Sequence, residues 1–90
     1  MKESELERQI LEYLILRGVC AWPTHDARHK PIAVGVPDIV AVHDGHFYGI
    51  ECKVGNAQLT QEQELFIAML RAAGATCIIA RTLEDVERYL

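Results

Sequence analysis

The 90-residue sequence contains no apolar run approaching the roughly 20 residues of a membrane-spanning helix. Its first residues are acidic and polar, without the apolar stretch of a secretory signal, so neither a membrane span nor export is expected. Cysteine is scarce. Cys20, Cys52 and Cys77 make an odd set without CxxC spacing, which speaks against a disulfide framework, a zinc ribbon or a redox motif. Each lies among apolar residues, so reduced, buried thiols in an intracellular protein are expected. Basic residues are in deficit, nine Lys and Arg against thirteen Asp and Glu, for a net charge of −4. That deficit argues against a broad basic surface for nucleic acid. The argument weakens if grouped carboxylates hold divalent cations, which change the local charge. No internal repeat or low-complexity segment is present.

What is present fits one small domain spanning residues 1–90. Half the residues are hydrophobic and 24% are charged, ordinary values for a globular chain. Residues 3–17 read as an amphipathic helix, with Leu6, Ile10, Tyr13, Leu14 and Arg17 at three- and four-residue steps and Gly18 as its stop. Val19 to Trp22 is a short apolar run read as a strand that Pro23 ends. Residues 24–36 form a polar, irregular loop in which Arg28, His29 and Lys30 cluster. Asp38 to His43 and His46 to Val54 are β-like runs, joined by Asp44-Gly45, a strong hairpin signal. Thr60 and Gln63 make a capping-box pattern for a helix reaching about Ala73. Gly74 ends it, Thr76 to Ala80 is a compact buried strand, and Thr82 caps a last helix through Leu90. The order helix, strand, strand, strand, helix, strand, helix implies a mixed sheet packed against helices.

The hairpin aligns a set of charged residues. With Asp44 and Gly45 as the central turn residues, His43 faces His46, Ala41 faces Tyr48, Ile39 faces Ile50, and Asp38 faces Glu51. The Asp38 and Glu51 Cβ atoms would then lie about 5 Å apart on one side of the sheet, and Lys53 projects from that same side. Two directly opposed carboxylates repel unless something positive lies between them. A divalent cation such as Mg²⁺ suits two carboxylates, a backbone carbonyl from Cys52 and water. The rest of that face, Val40, Val42, Phe47 and Gly49, is apolar, so the triplet is expected at one end of a core-facing surface, where unpaired charge is costly. The bland alternative is a solvated pair of strand-end carboxylates with Lys53 in a weak surface ion pair. A shifted turn register would also break the alignment.

These residues match a wider pattern. Gly35-Val36-Pro37-Asp38, then Glu51-Cys52-Lys53, then Leu59-Thr60-Gln61-Glu62-Gln63 resemble the signature of the PD-(D/E)XK nucleases. The closer likeness is to the VRR-NUC (virus-type replication-repair nuclease) family. The likeness covers nearly the whole chain, and the acidic opening of the first helix shares in it. It implies an α/β, restriction-endonuclease-like αβββαβ core with a mixed sheet flanked by helices. It further implies a Mg²⁺- or Mn²⁺-dependent endonuclease that hydrolyses DNA phosphodiester bonds and uses no organic cofactor. Asp38, Glu51 and the Cys52 carbonyl would hold the metal, with Glu3 the best-fitting first-helix contributor and Glu7 one turn later. Lys53 would orient or help deprotonate water and stabilise phosphate charge, and Gln63 would position the site or the phosphate. Standalone members imply a homodimer, junction-like DNA, and a phage, mobile-element or repair setting.

Other features carry two readings each. Arg28 and Lys30 either contact DNA phosphates or belong to a solvated loop. The spacings His25–His29 and His43–His46 invite zinc, but neither lies on a predicted helix with further ligands; His43 and His46 read as an exposed cross-strand pair. Trp22 is expected to pack in the core rather than stack on a base. Phe66 and Met69 are expected in the core or at a subunit interface. A non-catalytic DNA-binding or assembly module with the same fold would have no need for intact Asp38, Glu51 and Lys53. A sequence-specific restriction enzyme would usually need more recognition surface than this length supplies.

Overall fold

The structure, a computed structural model, describes residues 1–25 and 34–90. Its elements are α1 (Glu3–Leu16), β1 (Cys20–Pro23), β2 (Ile39–His43), β3 (His46–Cys52), α2 (Gln61–Ala72), β4 (Thr76–Ala80) and α3 (Leu83–Glu87). This is the expected order. The sheet runs β1-β2-β3-β4, antiparallel across the first three strands and parallel between β3 and β4. Parallel neighbours require a crossover, and α2 supplies it. The chain therefore has the expected α/β architecture, a mixed sheet flanked by helices. Among the described residues, no helix is long and apolar enough to cross a membrane.

Local chemistry sets the boundaries. α1 buries Leu6, Ile10 and Leu14, spaced four residues apart along one stripe. Its end is a Schellman turn: Gly18 takes a φ of 76°, and the Val19 amide donates to the Leu14 carbonyl at 2.9 Å. The β2–β3 hairpin turns on Asp44 and Gly45, with φ values of 51° and 76°, as a two-residue turn that matches strand twist requires. The pairing that results sets Ile39 opposite Ile50 and His43 opposite His46.

The core lies on the face of Ile39, Ala41, Ile50 and Cys52, where α1 contributes its stripe and Val86 and Leu90 join from the chain's end. The charged triplet is on the other face, which is core-facing only in part: Val40 and Gly49 are buried there, and the surface opens toward the turn. Strand alternation puts Val40, Gly49 and Glu51 there, on the side of α2, whose Leu70 approaches Gly49. Val42 is half-buried and Phe47 is exposed. The same geometry overturns two other expectations. Cys20 and Trp22 pair with Val42 and Val40 on the edge strand β1, at the far side of the sheet from β4, so both are exposed rather than buried. Cys52 and Cys77 are buried as expected. On α2 only Ile67 is fully buried, and Leu65 and Met69 face outward.

Candidate active site

Asp38 is held by its own backbone before its side chain acts. The Thr24 hydroxyl donates to the Pro37 carbonyl at 2.6 Å, and the Thr24 amide donates to the Asp38 carbonyl at 2.9 Å. Pro37 is fully buried and lies on Gly49, where a Cβ would stand 3.0 Å from its Cγ. Glycine at that strand position makes room for the proline and fixes the start of β2. The Asp38 carboxylate then reaches across the hairpin. Its Oδ2 accepts from the Cys52 amide at 2.8 Å, which ties it to the peptide linking Glu51 and Cys52.

Glu51 is only 2% exposed. Its Oε2 accepts from Gln63 Nε2 at 3.3 Å, whereas Oε1 is buried with no hydrogen-bond partner among the described residues. Burial, followed by the neighbouring Asp38 carboxyl, pushes the Glu51 carboxyl up to about 9, and the charge of Lys53 opposes this. Lys53 is also buried, and its amide extends the ladder to β4 by donating to the Ala80 carbonyl at 3.0 Å. Strand alternation thereby keeps its side chain on the Glu51 side.

Gln63 is oriented by the start of α2. Its Oε1 accepts from the Thr60 amide at 2.9 Å, and its own amide donates to the Thr60 hydroxyl at 3.1 Å. This completes the capping box read from the sequence and leaves the side-chain NH₂ to donate to Glu51. The loop carrying Asp38 is pressed onto the same turn. Gly35 has a φ of 86°, and a Cβ there would collide with the Glu62 carbonyl. Only glycine fits both the backbone and the contact.

The first helix contributes Glu7. His25 Nε2 lies 3.2 Å from Asp38 Oδ1 and 3.5 Å from Glu7 Oε2. Burial and the charge of Asp38 raise the Glu7 carboxyl, and His25 lowers it. The charge of Glu3 adds a smaller upward push on Glu7 and Glu51. In the sequence, His25 stands out only by its four-residue spacing to His29. Its link to residue 7 is tertiary and leaves no periodic trace.

The cluster can hold a divalent cation. Two adjacent carboxylates, one with a buried oxygen that has no donor among the described residues, form an oxygen set that a hard cation satisfies. The Cys52 thiol is no competitor: burial, reinforced by the surrounding carboxylates, raises it far above its usual range.

Comparison with known proteins follows this geometry. No family model and no curated protein matches the sequence. Two solved structures are similar. One is a VRR_NUC domain, at a TM-score of 0.75 and 17% identity, covering 96% of this chain and 90% of that one. The other is Hjc, a Holliday junction resolvase from the archaeal hyperthermophile Archaeoglobus fulgidus, at a TM-score of 0.62 and 28% identity, covering 88% of this chain and 67% of that one. The chain has the fold of a VRR-NUC domain.

Within this VRR-NUC fold, Asp38, Glu51, Lys53 and Gln63 converge at one end of the sheet. Arg28 and Lys30 lie outside the described residues. His43 and His46 pair at the opposite end of the hairpin, where His46 Nε2 bonds the Thr76 hydroxyl at 2.7 Å. There His46 anchors β3 to β4.

Proposed function

We propose that this chain is a Mg²⁺- or Mn²⁺-dependent DNA endonuclease that hydrolyses phosphodiester bonds, acting as a homodimer on branched, junction-like DNA. The observation that carries the reading is Glu51. A carboxylate with one buried oxygen unsatisfied, set against Asp38 and followed on the same side of the strand by Lys53, is costly for folding and useful for phosphodiester chemistry. The similarity to a Holliday junction resolvase supports the choice of branched DNA.

Asp38, Glu51 and the Cys52 carbonyl would hold the ion, which supplies Lewis-acid stabilisation and an acidified water. The protein's own residues set the rest. The Cys52 amide holds one Asp38 oxygen, and Gln63 holds one Glu51 oxygen, so both carboxylates are oriented in advance. Lys53 provides a compact cation for the charge that grows on the phosphate and orients the attacking water. Paired cuts across a junction need two such sites, which a homodimer supplies.

Cleavage of a four-way junction and of a linear duplex, with Mg²⁺, Mn²⁺ or EDTA, tests the reading. Metal-dependent cutting that prefers the junction and disappears in Lys53→Ala is expected. Equal cleavage by wild type and Lys53→Ala would show the site to be wrong. Light scattering that returns a monomer at working concentration would remove the dimer.

A further inference from the structure

β4 is an edge strand: among the described residues its one neighbour in the sheet is β3. In a parallel pair, alternate residues turn both their N–H and their C=O to the same side. The Lys53 amide donates to the Ala80 carbonyl, so Thr76, Ile78 and Ala80 face β3, while Cys77 and Ile79 face outward. Such an open row invites strand pairing unless it is blunted, and side chains blunt it at two points. Arg71 Nη2 donates to the Cys77 carbonyl at 3.0 Å, and the Arg81 amide donates to Asp85 Oδ2 at 2.9 Å. Between these caps lie the N–H and C=O of Ile79. Ile79 lines a cleft of about 430 Å³ together with Arg71, Asp85, Arg88 and Tyr89.

A donor and an acceptor side by side on one residue match one residue of an antiparallel strand, which exchanges both bonds with it. The charges around the cleft select the strand. Arg71 comes from α2 on one face of the sheet, and Arg88 follows α3 on the other. Neighbouring residues of an added strand point to opposite faces, so two adjacent acidic residues would each meet a guanidinium. Asp85 competes little, because its Oδ2 accepts from the Arg81 and Thr82 amides and its Oδ1 lies 3.9 Å from Arg88, beyond hydrogen-bond reach. We propose that the β4 edge at Ile79 binds an extended acidic peptide, added as a short antiparallel strand with one residue bonded to Ile79 and adjacent carboxylates on Arg71 and Arg88. A second copy of the chain fits poorly, since a two-fold contact through β4 sets the same arginines against each other. A phosphate backbone also fits poorly, because it offers the Ile79 carbonyl no donor. This claim stands apart from DNA cleavage: it is read by peptide binding without metal or DNA, and it can fail while the nuclease reading holds.

The probe is a peptide of sequence Val-Thr-Glu-Glu-Val-Thr, blocked at both ends and titrated into the isotope-labelled full chain while amide resonances are followed. The Ile79 amide resonance should move downfield as its N–H gains an acceptor. A peptide with lysines in place of the glutamates should bind at least about tenfold more weakly, and Arg88→Glu should weaken the acidic peptide by a similar factor. N-methylation of the glutamate that bonds Ile79 should cost about fivefold or more, whereas N-methylation of its neighbour, whose N–H points away, should be tolerated. An unmoved Ile79 amide, equal binding of the acidic and lysine peptides, or equal losses from the two methylations would overturn the proposal. So would a shift of the Ile79 amide on concentrating the protein alone, which assigns the edge to a second copy, or displacement of the peptide by duplex DNA. The methylated peptides leave the protein untouched, so they decide the matter even where Arg88→Glu fails to fold.

Discussion

Replacing Glu51 by Gln should stabilise the metal-free protein at alkaline pH and remove its response to Mg²⁺. The folded protein holds this carboxyl near 9, above its ordinary value of 4.5. The stability Glu51 provides is therefore complete below the ordinary value and is lost as pH rises toward the raised one. Across that interval the loss has a ceiling of about 6 kcal/mol, at 1.36 kcal/mol per pH unit. Relaxation and water entry reduce it, and an effect of about 2 kcal/mol would move Tm by roughly 8–16 °C in a domain of this size. Glutamine avoids the charge, nearly matches the shape and keeps a carbonyl to accept from Gln63.

Thermal melts in EDTA at about pH 5, 7 and 9 measure the effect, since that range spans the titration. The variant should match or fall slightly below wild type at the acid end and exceed it increasingly toward the alkaline end. Saturating Mg²⁺, at about 100 times Kd, should return about 2.7 kcal/mol to wild type and little to the variant. A Tm difference that does not change with pH would refute the account of Glu51 as a strained carboxylate. A variant that Mg²⁺ still stabilises fully would refute its place among the ligands.

Further outcomes follow from the neighbouring contacts. Gln63→Glu sets a carboxylate where an NH₂ now donates to Glu51, and should cost about 1–3 kcal/mol in EDTA with partial recovery in Mg²⁺, read by urea unfolding. Gly35→Ala meets both a φ of 86° and the Glu62 carbonyl, so it should cost more than about 2 kcal/mol. Gly18→Ala, at a φ of 76° with open space around it, should cost only about 1 kcal/mol in the same assay. Thr60→Ala removes the cap that orients Gln63; it should cost about 1 kcal/mol in melting and also lower junction cleavage, whereas loss of stability without loss of rate would separate the cap from the site.

The parts of this molecule that were legible in its sequence are the ones written in local chemistry. Asp44-Gly45 specifies its own turn, and a two-residue turn leaves one register, so the meeting of Asp38 with Glu51 could be counted from the chain. Thr60 and Gln63 announce a helix start, and the same pair explains why the Gln63 amide ends up facing Glu51. The burial of each face was not legible. Ile39, Ala41 and Ile50 alternate with Val40 and Val42, so both sides of the hairpin read as apolar, and only the docking of α1 and α3 decides which becomes the core. Exposure of Cys20 and Trp22 follows from an edge position that composition does not encode.

The first helix shows the same divide within the site itself. Glu3 and Glu7 are one turn apart on one helical face, and periodicity treats them alike. A turn advances about 5.4 Å along the axis, more than the reach of a hydrogen bond. Only the packing of Leu6, Ile10 and Leu14 against the sheet sets how far the helix is advanced past the hairpin, and it brings Glu7 to His25. Asp38 thus meets its hairpin neighbour through a register written in the turn. It meets Glu7 and His25 through a helix position written in the core. A core substitution at Ile10 should therefore disturb the Glu7–His25 contact while leaving the Asp38–Cys52 contact in place. Ile10→Val, a loss of about 0.5–1.5 kcal/mol, is mild enough to keep the fold. A shifted His25 imidazole resonance with an unchanged Cys52 amide resonance in that variant is the expected result; equal shifts of both would show that hairpin and helix move as one.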